Sequence, residues 1–123
     1  MTQIGDYTFS SCEKLKEVDI PGDLLYLGRG AFERCYSLTN VIIRDGLEVI
    51  QENTFNYCHS LNEVSLSHSL KQLRKGCFNS CGDITIYYKG TKEEWKNLYK
   101  PLSFKDTYFI CECTDGKVVK KRK

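Results

Sequence analysis

Residues 27–43 read LGRGAFERCYSLTNVII, and the chain comes close to repeating that stretch. A shift of 23 residues superposes Ile4, Leu27, Ile50 and Leu73, then Phe9, Phe32, Phe55 and Phe78, then Cys12, Cys35, Cys58 and Cys81. Leu15, Leu38, Leu61 and Ile84 share the next apolar position. Val18/Val41/Val64, Ile20/Ile43/Leu66 and Leu24/Leu47/Leu70 complete the pattern over three copies. A fixed period of this length marks a stack of equivalent units, because no single unit can bury its apolar positions alone.

The two halves of the unit obey different periodicities. In L-x-x-V-x-I the last two apolar residues alternate, as a strand with one buried face requires. From Ile4 to Cys12 the apolar spacing is five and then three, which suits a short 3₁₀ or α turn better than a strand. One strand and one helical turn per 23 residues falls in the range of leucine-rich repeats. The fold class predicted is therefore an α/β solenoid, with stacked columns of Phe, Cys and Leu as its core.

The fourth unit departs from register. After Cys81, GDITIYYKG puts Ile86 and Tyr88 at the two inward places only if one residue is deleted. Next, Thr91 with Glu94 three residues later reads as a capping box. Trp95 and Leu98 share a face of that helix, and Pro101 marks its stop. TYFICEC and GKVV then read as a hairpin through Asp115-Gly116, a pair suited to a primed turn. Residues 1–90 are thus read as the repeat stack of about four units, 91–119 as a C-terminal cap of helix plus hairpin, and 120–123 as a basic tail. The chain starts at Ile4 partway into a unit, so the strand at Leu15–Ile20 is expected as an edge with an exposed core end. An excised fragment, a covering partner or second copy, and a self-sufficient first turn each account for that.

Charge is unevenly spread. Lys117, Lys120, Lys121, Arg122 and Lys123 crowd the tail, while residues 1–116 hold thirteen basic and sixteen acidic residues, a balance of −3. That body gives no electrostatic reason to expect nucleic acid along its face, and the tail reads as a solvated end. No apolar run reaches the ~18 residues of a membrane-spanning helix. MTQIGDYTFS lacks the basic and apolar regions of a signal peptide. The reading is cytoplasmic for the chain alone, and cell-surface or secreted if it is a piece of a longer exported protein.

IGDYTFSSCEKLKEVDIP and GRGAFERCYSLTNVII resemble the BspA-type leucine-rich repeats of bacterial and protist surface proteins, whose pattern is close to I-G-x-x-A-F-x-x-C-x-x-L-x-x-I-x-L-P. IYYKGTKEEW and ICECTDGKV look like that family's usual ending. The resemblance covers roughly residues 4–119. It implies a right-handed solenoid used for adhesion or protein recognition, often as a module of a larger cell-surface protein. The sequence departs from the pattern in carrying no signal, no anchor and no long repeat array.

Seven cysteines invite a metal reading, with Cys77 and Cys81 meeting Cys111 and Cys113, or a disulfide among Cys77, Cys111 and Cys113. Cys81 belongs to a column whose members Cys12, Cys35 and Cys58 lack such partners, so core packing is the bland alternative. Seven is odd, so at least one thiol stays unpaired in a monomer. His59 and His68 occupy unrelated repeat positions, and no nucleophile has a base and orienting group set by the repeat. No catalysis and no cofactor are expected.

The outward strand positions are the binding candidates: Glu17 and Asp19, then Asn40, Ile42 and Arg44, then Glu63 and Ser65, and finally Thr85, Tyr87 and Lys89. They line one ribbon, since adjacent strands lie ~4.8 Å apart, and tyrosine and arginine are frequent interface anchors. A protein ligand bound there is the expected partner, with self-association through the N-terminal edge strand as a further expectation. The rival reading is a structural spacer or cap of a longer array.

Overall fold

The computed structural model describes residues 3–100, 102 and 104–122. Its elements are β1 (Gln3–Ile4), β2 (Glu17–Ile20), β3 (Tyr26–Leu27), β4 (Asn40–Ile43), β5 (Val49–Ile50), β6 (Glu63–Leu66), β7 (Gln72–Leu73), β8 (Gly82–Tyr88), α1 (Lys92–Tyr99), β9 (Thr107–Cys113) and β10 (Gly116–Lys120). They wind as a solenoid. β2, β4, β6, β8 and β9 pair in parallel, and β10 joins β9 antiparallel, in a sheet ordered β10-β9-β8-β6-β4-β2. Alternation works as expected: Val18, Val41, Val64, Ile86 and Cys111 form one buried column across five strands. The deletion in the fourth unit is present, because Val41 pairs with Val64 but Val64 pairs with Ile86.

The other half of the unit differs from the reading above in two respects. Each unit carries a second, two-residue strand: β1 pairs with β3, and β5 with β7, both in parallel. Ile4, Leu27, Ile50 and Leu73 lie on these strands. The segment after them is a run of linked turns rather than a helical turn. Turn bonds from Ser10 N to Tyr7 O (3.1 Å) and Cys12 N to Phe9 O (3.2 Å) alternate with bonds to the next unit. There Tyr7 N reaches Arg29 O, Phe9 N reaches Ala31 O and Ser11 N reaches Glu33 O, each at 2.8 Å. A helix directs all its amides along its own axis. Left-handed residues break that run and free alternate amides for the neighbour. They recur at Tyr7, Gly30, Asn53 and Gly76, and at Ser11, Arg34, Tyr57 and Ser80.

The core is built from the predicted columns. Phe32, Phe55 and Phe78 are buried, and the rings from Phe9 to Phe78 stack at 5.4, 5.6 and 5.3 Å between centroids. Phe9 ends the column at 39% exposed. The cysteine column has its own reason. Cys35 Sγ donates to Phe9 O, Cys58 Sγ to Phe32 O and Cys81 Sγ to Phe55 O, each at 3.2 Å. A thiol is small enough for the column and still donates a hydrogen bond to a carbonyl of the preceding unit.

What reads in sequence as a cap holds a fifth, degenerate turn. Phe104 follows Phe78 in the aromatic column at 5.7 Å, and Thr107 stands three residues later, where the earlier units have cysteine. Its hydroxyl donates to Phe78 O and accepts from Cys81 N at 2.9 Å. Asp106 takes the left-handed place before it (φ 56°). Helix α1 is an insertion between the fourth and fifth turns. Its capping box forms as expected: Thr91 Oγ1 accepts from Glu94 N, and Glu94 Oε1 accepts from Thr91 N at 2.9 Å. Trp95 and Leu98 are buried; Pro101 lies outside the described residues.

Two further details differ from expectation. Cys113 pairs with Gly116, so the hairpin turn is Thr114-Asp115 rather than Asp115-Gly116. Neither turn residue has positive φ, so no primed turn forms, and Gly116 (φ 133°) supplies the left-handed step. The reason is tertiary. Asp115 Oδ1 accepts from Lys92 N at 2.7 Å, and Thr114 N donates to Gly90 O at 2.9 Å, which ties the turn to the start of α1. Lys120, expected in the tail, instead ends β10, and its Nζ donates to Phe104 O and Thr107 O, both at 2.7 Å.

Candidate functional site

Strand alternation sends one set of side chains away from the core, and register assembles them into two rows. Glu17, Asn40, Glu63, Thr85, Ile110 and Val119 form one. Asp19, Ile42, Ser65, Tyr87, Glu112 and Lys117 form the other. Arg44 and Lys89 follow the ends of β4 and β8 and are exposed. The structure therefore places all ten sequence-predicted residues on one side of the sheet or at its rim.

The acidic half of this face is partly matched. Arg44 Nε and Nη2 each lie 2.8 Å from an Asp19 carboxylate oxygen, and Asn40 Nδ2 donates to Glu17 Oε1 at 3.3 Å. The Arg44 hydrogen bonds hold the Asp19 carboxyl below its usual range. Exposed pairs of this kind add little to stability; their effect is to orient the side chains.

The other half mixes Thr85, Glu112 and Lys117 with an apolar cluster, and here sequence reasoning fell short. Tyr87, Ile110 and Val119 are each 44% exposed on adjacent strands. Ile110 and Val119 went unnoticed because their strands read as a cap and not as part of the face. The available signal was alternation, since Ile110 sits between buried Phe109 and Cys111, and Val119 follows buried Val118. A shallow groove of about 430 Å³ runs beside them, bordered by Asp83, Thr85, Tyr108, Lys121 and Arg122. A second groove of about 230 Å³ opens at the other end, among Ile4, Phe9, Leu15, Val18 and Leu24.

The cysteines are dispersed through the core columns. Cys77 follows Ala31 and Thr54 in a buried column of small residues. Cys111 and Cys113 face each other along β9 with sulfurs 3.7 Å apart. Among the described residues, no three His, Cys, Asp or Glu side chains converge as a metal would require, and all seven cysteines are free thiols. Burial pushes the Cys58, Cys77 and Cys111 thiols up, and Cys81 to about 12. Such groups stay neutral and act as weak donors, not nucleophiles.

The histidines stand apart from them. His59 stacks on Tyr36 at 5.3 Å. His68 Nε2 lies 2.7 Å from Glu94 Oε2. That contact, followed by the Thr91 amide, lowers the Glu94 carboxyl to about 2.

The family model described as a BspA type leucine rich repeat region (6 copies) matches residues 1–99. Among solved structures, the chain is similar to a leucine rich cell surface protein from Faecalibacterium prausnitzii A2-165. The two are 21% identical with a TM-score of 0.70, over 94% of this chain and 30% of that one. This likeness shows the fold, and the chain spans under a third of that neighbour's length. No curated protein matches it. No helix among the described residues is long and apolar enough to cross a membrane.

Proposed function

This chain belongs to the BspA-type leucine-rich repeat family, and from that premise we propose that it is a non-catalytic protein-recognition module of the adhesion type. It binds through the outward face of the six-stranded sheet. The observation that carries this reading is the pair of continuous rows, in which exposed Tyr87, Ile110 and Val119 adjoin a more polar half. Exposed aromatic and aliphatic side chains on a rigid ribbon provide contact area at low entropic cost, and clusters of them mark interaction surfaces. Cell-surface display fits the description of the structural neighbour as a cell surface protein.

The test is substitution on the face. A protein ligand captured by the immobilised chain is measured by surface plasmon resonance against Ile42→Ala, Arg44→Ala and Tyr87→Ala. At least one is expected to weaken binding by roughly tenfold or more, the scale of an interface anchor. Unchanged affinity in all three would overturn the sheet-face reading.

A further inference from the structure

We infer that the outer edge of β10, with the apolar patch beside it, accepts an extended acidic peptide as a seventh strand of the sheet. This rests on the sheet-face reading and narrows it to one end of the face and one chemistry of ligand.

β10 is the terminal strand and pairs with β9 alone among the described residues. In an antiparallel pair every second residue turns its N–H and C=O away from its partner. β10 therefore presents half a ladder, the feature that strand-adding ligands use. Backbone bonds to such an edge give affinity, and side chains at alternate positions give selectivity.

Those alternate positions are occupied by Lys117, Val119 and Lys121. Val119 stands beside Ile110, and Tyr87 lies one strand further in, so an incoming strand finds apolar side chains to cover. The surroundings are basic. Arg122 stacks over the Tyr108 ring at 4.4 Å. Two of the nearby acids are paired, Asp83 with Arg122 at 3.2 Å and Glu112 with Lys117 at 3.5 Å, and Asp106 lies near Lys120. Lys121 is exposed, and the ion pairs at this edge among the described residues use Lys117 and Arg122. The opposite edge of the sheet, β2, carries Glu17 and Asp19. Asp19 is matched there by Arg44, but Glu17 has only the neutral Asn40 amide as a partner, so an acidic strand is favoured at β10, beside Lys121, over β2.

The test uses the full chain and a labelled peptide alternating glutamate with valine, followed by fluorescence anisotropy. The controls are the same peptide N-methylated along one edge, which keeps charge and side chains but blocks the ladder, and a thymidine oligonucleotide of similar charge. Binding of the unmodified peptide should weaken roughly tenfold or more on N-methylation, and by a similar factor with Lys117→Glu/Lys121→Glu. Lys14→Glu/Lys16→Glu, an equal charge change elsewhere, should leave it within about twofold.

Equal binding of the N-methylated peptide or of the oligonucleotide would reveal a plain polyanion site and overturn the proposal. No binding at all would also overturn it, leaving the lysines as guards of a bare edge. If the peptide fails while Ile42→Ala or Arg44→Ala still weakens the captured protein ligand, the edge inference falls and the face reading stands. Peptide binding together with unchanged ligand affinity in Ile42→Ala, Arg44→Ala and Tyr87→Ala would instead sink the face reading.

Discussion

The middle of the stack and its closing end bury the same kinds of side chain in opposite geometries. From Phe9 to Phe78 the ring planes lie within 11°, 4° and 8° of parallel, one ring per turn. At the end, Trp95 meets Phe109 at 87° and Phe104 at 71°, and Tyr99 meets Phe109 at 84°. Parallel stacking follows from translation, because each unit sees the same neighbour. That arrangement has no way to stop, since every added ring exposes a new face. Closure needs rings turned edge-on, which aromatic quadrupoles favour, and these come from an inserted helix and a fifth turn of altered sequence. In this molecule repetition makes the core and the departure from repetition ends it.

The largest expected effect is in the middle. Phe55 is fully buried with a stacked ring on each side, so Phe55→Ala should cost ~3–5 kcal/mol by chemical denaturation. Phe9→Ala, at a part-exposed ring with one stacked neighbour, should cost less than half as much. Equal losses would show that neighbours on both sides are not what stabilises a unit.

A second contrast asks whether the fifth turn is truly part of the column. Thr107→Val removes a buried hydroxyl that serves Phe78 O and Cys81 N, and should cost ~1–3 kcal/mol. Cys58→Ala loses one weaker thiol bond in the regular stack and should cost less. The opposite order would make Thr107 incidental.

Effects confined to the closing end come next. Asp115→Ala unties the hairpin turn from the first amide of α1 and should cost about 1 kcal/mol, the scale of a lost N-cap. The single tryptophan, Trp95, reports it directly by fluorescence.

The smallest effect is with pH. Glu94 is lowered from 4.5 to about 2, and a lowered acid stabilises the fold above its unfolded value and loses that contribution as pH falls towards its folded one. Trp95 fluorescence should therefore loosen between about pH 4.5 and 2, and Glu94→Gln should flatten that part of the profile. An unaltered profile in Glu94→Gln would place the acid transition elsewhere.

Legibility followed the range of each signal. The Phe and Cys columns were plain because translation repeats residue identity at a fixed spacing. The capping box was plain because both partners lie within four residues. The two-residue strands left no alternation to detect. Gly30, Asn53 and Gly76 hinted at a left-handed column, but Arg34, Tyr57 and Ser80 gave no sign of theirs; the neighbouring unit's carbonyls impose it. The fifth turn hid because Thr107 replaces cysteine and α1 stretches the spacing from Phe78 to Phe104. On the face, the ten outward positions were readable from period two, whereas Ile110 and Val119 needed the knowledge that β9 continues the sheet.

By itself the sequence determined the period, the residues that point inward and the helix that interrupts the count, because these depend on local geometry and on the hydrophobic effect acting at a fixed spacing. Only the tertiary structure decided which strand ends the sheet, which acids are already matched by Arg44, Lys117 and Arg122, and how the turn at Thr114-Asp115 is drawn to α1. Those outcomes depend on contacts between residues far apart in the chain, and no local pattern encodes the distance between them.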